Sequence, residues 1–282
     1  MAVQVVTDSV ADLPPQVARE LGITVVPLIV NFGSEAYRDG VDLSADRFYK
    51  KLKDSRVFPT TSAPPPMVFA EIFDKLAEKT EQIVVMTISA KLSGTHDAAL
   101  QGRRLMKKPC RIEVIDSQLA TMGEGFIAMK AAQAAKTGAS LDEVKEVVQK
   151  NLTRSEILAA FDTLEYLRRG GRIGAAKAYL GSILNINPLI TLKDGEVKPA
   201  GRTRYRKKAI DGLYAFAKGY SYIEELAVEY TACPEDAEAL IDRLDSIFPK
   251  ERIYRCRMTP VIGTHTGPGL LVVAVLGDRE RE

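Results

Sequence analysis

Four short apolar runs, Val3–Val6, Ile23–Val30, Ile83–Ile88 and Arg111–Ile115, alternate with stretches of helical spacing through the first half of this chain. That alternation limits the fold more than anything else in the sequence. Strand–helix–strand units close as parallel pairs, and a parallel sheet needs helices over both of its faces. Asp12 stands where it would cap the first helix, with Pro14 in the first turn and Gly22 at the end. Leu43–Leu52 and Met67–Leu76 have helical spacing, and in the second Phe69, Ile72, Phe73 and Leu76 share one face. A helix is expected from about Thr95 to Met106. A long Ala- and Met-rich helix runs to Gly138, and Ser140 with Glu143 forms a capping box that opens the next. Ligands of such sheets bind beyond the carboxyl ends of the strands. Asp8-Ser9, Ser93-Gly94 and Asp116-Ser117 all fall at those ends.

The second half changes character after Asn151–Ser155. Ile157–Phe161 reads as a strand, and Leu167–Gly174 as a glycine-rich turn into a helix. Asp194-Gly195 between Pro188–Leu192 and Glu196–Pro199 is a hairpin signal. Helices at about Arg204–Ala217 and Pro234–Phe248 alternate with strands at Glu225–Tyr230 and Ile253–Arg257, and Leu271–Leu276 closes the pattern. The expected fold is α/β in two units: residues 1–153 around a mostly parallel sheet, and residues 154–282 around a mixed sheet with at least one antiparallel pair.

The bulk properties remove several function classes. At 282 residues the chain has ample length for two modest domains. Its net charge of +2 does not favour binding driven by the phosphates of nucleic acid. The charge is uneven, however: Arg168 to Lys208 holds 11 Lys and Arg against only Asp194 and Glu196. The widely spaced Cys110, Cys233 and Cys256 suit neither a disulfide framework nor a zinc cluster. The start lacks a signal-peptide pattern and no apolar run is long enough to span a bilayer, so a cytoplasmic protein without membrane insertion is expected.

Three stretches carry groups able to hold an oxyanion: Thr60–Pro64, Ile88–Thr95 and Gly263–Gly269. Ser93-Gly94-Thr95 would present free N–H groups and the positive end of a helix, with two hydroxyls added. Thr61-Ser62 places hydroxyls just before a proline-opened helix. Taken alone, an ordinary capped helix start explains either one. His265 lies in a stretch that reads as too rich in glycine for regular structure, where an imidazole is more often functional than part of a core. His96, inside the helix from Thr95, reads as a partly exposed helical histidine. Gly123-Glu124-Gly125-Phe126-Ile127-Ala128 matches a dinucleotide fingerprint but does not follow directly on a strand, and no phosphate-binding loop with a Gly-Lys-Ser/Thr ending is present. No cofactor is expected. Together the stretches read as the polar mouth of a pocket for an acidic small molecule.

Asp8-Ser9 with Asp12-Leu13-Pro14, Thr61-Ser62-Ala63-Pro64, Leu92-Ser93-Gly94-Thr95, Asp116-Ser117, Arg169-Gly170-Gly171-Arg172 and His265-Thr266-Gly267-Pro268-Gly269 resemble the DegV family in order and spacing over nearly the whole chain. The resemblance implies a two-domain α/β fold with one long-chain fatty acid, such as palmitate, buried between the domains. It further implies a subunit of a bacterial fatty acid kinase system, in which a separate ATP-binding kinase phosphorylates the carboxyl group of the bound acid. The family's carboxylate contacts carry over to Thr61, Ser93, Gly94 and His265, with Ser62 and Thr95 beside them. Two departures are visible: Ala63 stands where many relatives carry a polar residue, and His96 where an aromatic is common.

Met86, Met122, Met129, Leu164, Leu180, Leu184 and Ile186 are candidate tunnel lining, with plain core the preferred reading of each. Arg172, Arg202 and Arg204 are the candidates for docking the kinase or its ATP. In this reading the chain is a monomeric lipid carrier with no catalysis of its own. Two alternatives share the residues: a hydrolase with Ser93 as nucleophile, His265 as base and Asp8 or Asp116 as orienting acid, and a lipid-sensing regulator. Against the hydrolase, Ser93 lacks the Gly-x-Ser-x-Gly elbow.

Overall fold

The computed structural model describes residues 3–180 and 186–279. Strand β1 (Gln4–Asp8) leads through one 3-10 turn to helix α1 (Pro15–Leu21) and strand β2 (Ile23–Val26). The apolar run expected as one strand is two, divided at Pro27, which has no N–H to continue a ladder. Past it, β3 (Ile29–Phe32) pairs with β4 (Glu35–Arg38) instead of extending the parallel sheet. Helix α2 (Ala45–Asp54) and strand β5 (Thr60–Ser62) follow, and β5 joins the other edge of β3. Next come α3 (Pro66–Leu76), β6 (Gln82–Thr87), α4 (Thr95–Leu105), β7 (Arg111–Asp116), α5 (Thr121–Lys136) and α6 (Leu141–Leu152).

Then β8 (Ser155–Ala160), α7 (Glu165–Arg169) and a 3-10 segment at Gly174–Tyr179 precede the hairpin of β9 (Asn187–Lys193) and β10 (Glu196–Thr203). The chain ends with α8 (Arg206–Lys218), β11 (Tyr220–Tyr230), α9 (Pro234–Leu244), β12 (Tyr254–Arg257), α10 (Pro260–Thr266) and β13 (Leu271–Arg279).

The strands form three sheets. A parallel sheet runs β2-β1-β6-β7, a small antiparallel sheet runs β4-β3-β5, and a six-stranded sheet runs β10-β9-β8-β13-β11-β12. The last is mixed, because β11 and β12 pair in parallel while its other pairs are antiparallel. The α/β class with one parallel and one mixed sheet is therefore as the sequence implied.

Helix α5 lies between the parallel and the six-stranded sheet, and 12 of its 16 residues are buried. A helix covered on two sides needs small residues where backbones come close. A Cβ on Gly125 would lie 2.6 Å from the Ala11 carbonyl oxygen, and one on Gly123 would lie 2.9 Å from Ile157 Cγ2. The glycine pattern that mimics a dinucleotide fingerprint is thus a packing device.

Two local expectations fail for one reason, that distant parts of the chain claim the residues. Asp12 caps no helix: Pro14 and Pro15 open α1 without a side-chain cap, and the buried Asp12 carboxylate accepts the Thr259 N–H at 2.9 Å. The glycine-rich stretch around His265 is regular structure, the helix α10. Its Gly263 serves close approach, since a Cβ there would meet the Phe48 ring at 2.5 Å and the Tyr49 hydroxyl at 2.7 Å. Thr264 and Thr266 donate their hydroxyls to the carbonyls of Pro260 and Ile262 inside the helix. Asp39 adds a second tie, accepting from Ser9 Oγ at 2.7 Å and from the Val261 N–H at 3.3 Å.

Candidate functional site

Where the parallel sheet, the small sheet and the six-stranded sheet meet, an apolar cavity of about 140 Å³ opens. Alternation along the strands of the six-stranded sheet builds one wall. Ile157 and Ala159 on β8, Phe161 just past it, and Ile190 and Leu192 on β9 sit at every second position and face the same way. An apolar cavity near 150 Å³ holds one benzene-sized group, so a longer guest requires these walls to yield.

The polar end draws on four separate elements. Thr61 and Ser62 come from β5, Ser93 and Gly94 from the loop between β6 and α4, His265 from α10, and Arg172 from the turn after α7. His265 Nε2 lies 2.7 Å from Thr61 Oγ1. Its Nδ1 is buried with no partner, packed where a Cβ on Gly170 would fall 2.3 Å away. Burial, with the Arg172 charge second, pushes the imidazole down to about 4. The ring is therefore neutral at neutral pH. With Nδ1 unpartnered, the better place for its proton is Nε2, where it donates to Thr61 Oγ1. That assignment leaves the Thr61 hydroxyl proton free for a guest.

Ser93 Oγ and Thr95 Oγ1 are 2.8 Å apart, and Ser93 Oγ accepts the Thr95 N–H at 3.3 Å. Thr95 is fully buried behind Ser93 and does not line the cavity. Gly94 leads into α4 with no side-chain cap of its own; Ser93 Oγ takes the Thr95 N–H, and no cap claims the first-turn N–H groups that follow it. Arg172 stands exposed at the mouth, its Nε donating to the Leu92 carbonyl at 3.1 Å and its Nη1 to the Gly170 carbonyl at 2.7 Å.

Other expected residues lie elsewhere. Arg202 and Arg204 are exposed on β10 and just beyond it, away from the cavity lining; the Arg202 guanidinium sits 6.0 Å from the centre of the Tyr179 ring. His96 pairs through Nδ1 with Thr87 Oγ1 at 3.1 Å. Met86, Met122, Met129 and Leu164 are core, and neither they nor Leu180 and Ile186 line the cavity; Leu184 lies outside the described residues. The cavity wall is built instead by the period-two alternation of β8 and β9, a pattern the sequence carries.

The hydrolase geometry is not assembled. His265 is engaged with Thr61 rather than Ser93, and no carboxylate meets its Nδ1. Asp8 accepts from the N–H groups of Val10 and Ile88, and Asp116 from those of Ala90 and Gln118, so both shape strand-end loops. Among the described residues, no group of three or more His, Cys, Asp or Glu is arranged to hold a metal ion, and no helix is long and apolar enough to cross a membrane.

The place of Gly170 leads to a prediction. Gly170→Ala pushes a methyl group into Nδ1 and drives the ring from its buried seat. The His265 pKa, read by NMR titration, then climbs from about 4 toward the ordinary 6.5. A value that stays near 4 would mean the ring does not depend on Gly170.

An apolar cavity closed at one end by hydroxyls, a neutral imidazole and a helix terminus has the shape and chemistry to take an amphiphile by head and tail. The model of a family described as "Uncharacterised protein, DegV family" matches residues 2–278. The chain belongs to the DegV family. It is 40% identical over 277 residues to a DegV domain-containing protein of Streptomyces coelicolor, covering 97% of this chain and 98% of that one. Among solved structures it resembles a fatty-acid-binding DegV family protein of Thermus thermophilus, with a TM-score of 0.90 and 35% identity, covering 98% of this chain and 100% of that one. DegV of Bacillus subtilis, a fatty acid binding protein, gives a TM-score of 0.89 at 29% identity, covering 99% and 100% of the two chains.

Proposed function

We propose that this protein binds one long-chain fatty acid, head group at Thr61, Ser62, Ser93, Gly94 and His265 with Thr95 supporting Ser93 from behind, and presents the carboxyl to a separate ATP-dependent fatty acid kinase. In this reading residues 1–153 and 154–282 are two units with the acid between them, and the protein acts in the cytoplasm as a monomer. The observation that carries the reading is the division of one cavity into a hydrocarbon wall and a polar end without a free arginine. A buried carboxylate needs several donors. The Thr61 and Ser93 hydroxyls and the first-turn amides of α4 beyond Thr95 supply them, while His265 orients Thr61. Arg172 has two of its nitrogens on carbonyls, so it lends charge without a two-pronged grip. A carboxylate oxygen is left open as a nucleophile. The tail supplies affinity: at ~0.8 kcal/mol per buried CH₂, a dozen methylenes contribute on the order of 10 kcal/mol before ordering costs. The same wall chemistry and the names of the solved relatives support a fatty acid over other amphiphiles.

Native mass spectrometry of the purified protein, followed by organic extraction, tests the binding. A single added mass matching a long-chain acid is expected; an empty protein that also refuses oleate and palmitate would overturn the reading. The kinase role has its own readout. Arg202→Glu is expected to lower acyl-phosphate formation in a kinase-coupled assay while the acid stays bound, and loss of binding would contradict a docking role for Arg202.

A further inference from the structure

A long acyl chain does not fit in about 140 Å³, so it gains room only where the cavity has a thin wall. Such a wall separates the cavity from a second hollow, a groove of about 680 Å³ between the loop after β7, the end of α6 and the start of β8. Thr191 and Leu192 line both spaces. The loop is divided in the same way, with Ser117, Gln118 and Leu119 on the groove and Ala120 and Thr121 on the cavity. None of Thr61, Ser62, Ser93, Gly94, Arg172 and His265 lines the groove, so this wall stands away from the polar end. Two other hollows, one beside Asp12 and Arg257 and one beside Lys130 and Arg154, share no lining residue with the cavity.

The parts of the wall differ in their freedom. The loop is tied through its backbone: Asp116 Oδ1 accepts the Gln118 N–H at 2.9 Å, and Ser117 Oγ accepts the Leu119 N–H at 3.0 Å. Thr191 is pinned as well, its hydroxyl donating to the Ile157 carbonyl at 2.8 Å. Leu192 is half-buried, on the same face of β9 as Ile190 and level with Val197 of β10. It has no polar atom to tie its side chain, which can turn between staggered rotamers where space allows. Beyond it the groove is polar, with Gln118, Gln149, Thr153, Glu156 and Lys193 on its sides. A methyl end pushed among those groups forgoes the gain that apolar burial gives.

We infer that Leu192 sets the acyl chain length this protein prefers, as the stop against which the methyl end of the tail comes to rest. The inference rests on the fatty-acid reading of the cavity. Short of the stop, each added carbon is buried and tightens binding about fourfold; past it, an added carbon gains nothing.

A titration of the whole protein with saturated acids from decanoate to eicosanoate locates the stop. The logarithm of Kd is expected to fall with carbon number and then to level at one chain length. Leu192→Ala removes most of the side chain, and the levelling point should move up by about three carbons. Leu192→Phe thickens the wall and should move it down, and this variant carries the test by itself if Leu192→Ala does not fold. A levelling point that stays in place in the folded variants would overturn the inference, as would a wild-type affinity that climbs through the whole series. Failure of the underlying reading looks different: no acid of any length would bind.

Discussion

Ala159→Phe is expected to abolish the proposed fatty-acid binding and leave the protein folded. Ala159 lies on β8 between Val272 of β13 and Ile190 of β9, and its methyl group points into the cavity. A phenyl ring added there occupies a space of about 140 Å³, close to the volume known to hold one benzene. Filling existing space avoids most of the 1–3 kcal/mol that overpacking a tight core costs, so the melting temperature should hold within a few degrees. The acyl chain, by contrast, loses its room, and a drop of at least about 100-fold in affinity is expected, roughly 2.7 kcal/mol. Isothermal titration with oleate reads the first quantity and calorimetric melting the second. Unchanged oleate binding in the folded variant would place the acyl chain elsewhere.

The second large effect is on stability and concerns the acids buried between the sheets. Asp8 and Asp39 are pushed up to about 7 and Glu229 to about 8, in each case chiefly by burial. Asp12 and Glu124 are raised as well, by burial first and then by neighbouring carboxylates. Their unfolded values lie near 4, so the native state binds more protons than the unfolded one above that pH. The stability they contribute is full below about pH 4 and is withdrawn as pH rises through 7 to 8. His265 has the opposite sign. Lowered to about 4, it contributes fully above 6.5, and that contribution is lost as pH falls through 4. Exposed pairs such as Arg38–Asp42, which holds Asp42 down at about 2, act only in stronger acid.

Between pH 6.5 and 8 the carboxyls act alone. The protein is therefore expected to melt higher at pH 6.5 than at pH 8, by on the order of 3 kcal/mol or roughly 10 °C once relaxation around the ionised groups is allowed for. Glu229→Gln should flatten part of that slope. A melting temperature that is level or rises over this range would contradict the burial of these acids as neutral groups.

Much of the fold is legible in the sequence where its signals are local. The runs ending at Asp8, Thr87 and Asp116 are strands, the Ser140–Glu143 capping box forms, and Asp194-Gly195 turns a hairpin. What was not legible depends on partners far away in sequence. Asp12 has the chemistry of a cap, but its carboxylate is taken by Thr259, 247 residues on. Gly263 looks like a loop glycine until Phe48 and Tyr49 are packed against it. Thr61, Ser93, Gly94 and His265 each carry an oxyanion-holding group in the sequence, and the chain brings them around one cavity. Thr95 lies behind Ser93, and the wall is made by β8 and β9 rather than by methionines. Thr121 also lines the cavity, and a left-handed φ at threonine leaves no mark in composition or spacing.

The ties that hold α10 also bear on how the protein is made. Thr61 meets His265 across 204 residues, Asp39 reaches Val261 across 222, and Asp12 reaches Thr259 across 247. Contacts so far apart in sequence come late in folding, and a chain leaving the ribosome can begin its parallel sheet long before it possesses α10. The growing polypeptide therefore displays apolar strands β8 and β9 while the polar end that would orient an amphiphile does not yet exist. On the proposed function, lipid met during synthesis has nothing to fix its head group, and oriented capture begins only when the first and last parts of the fold have found each other.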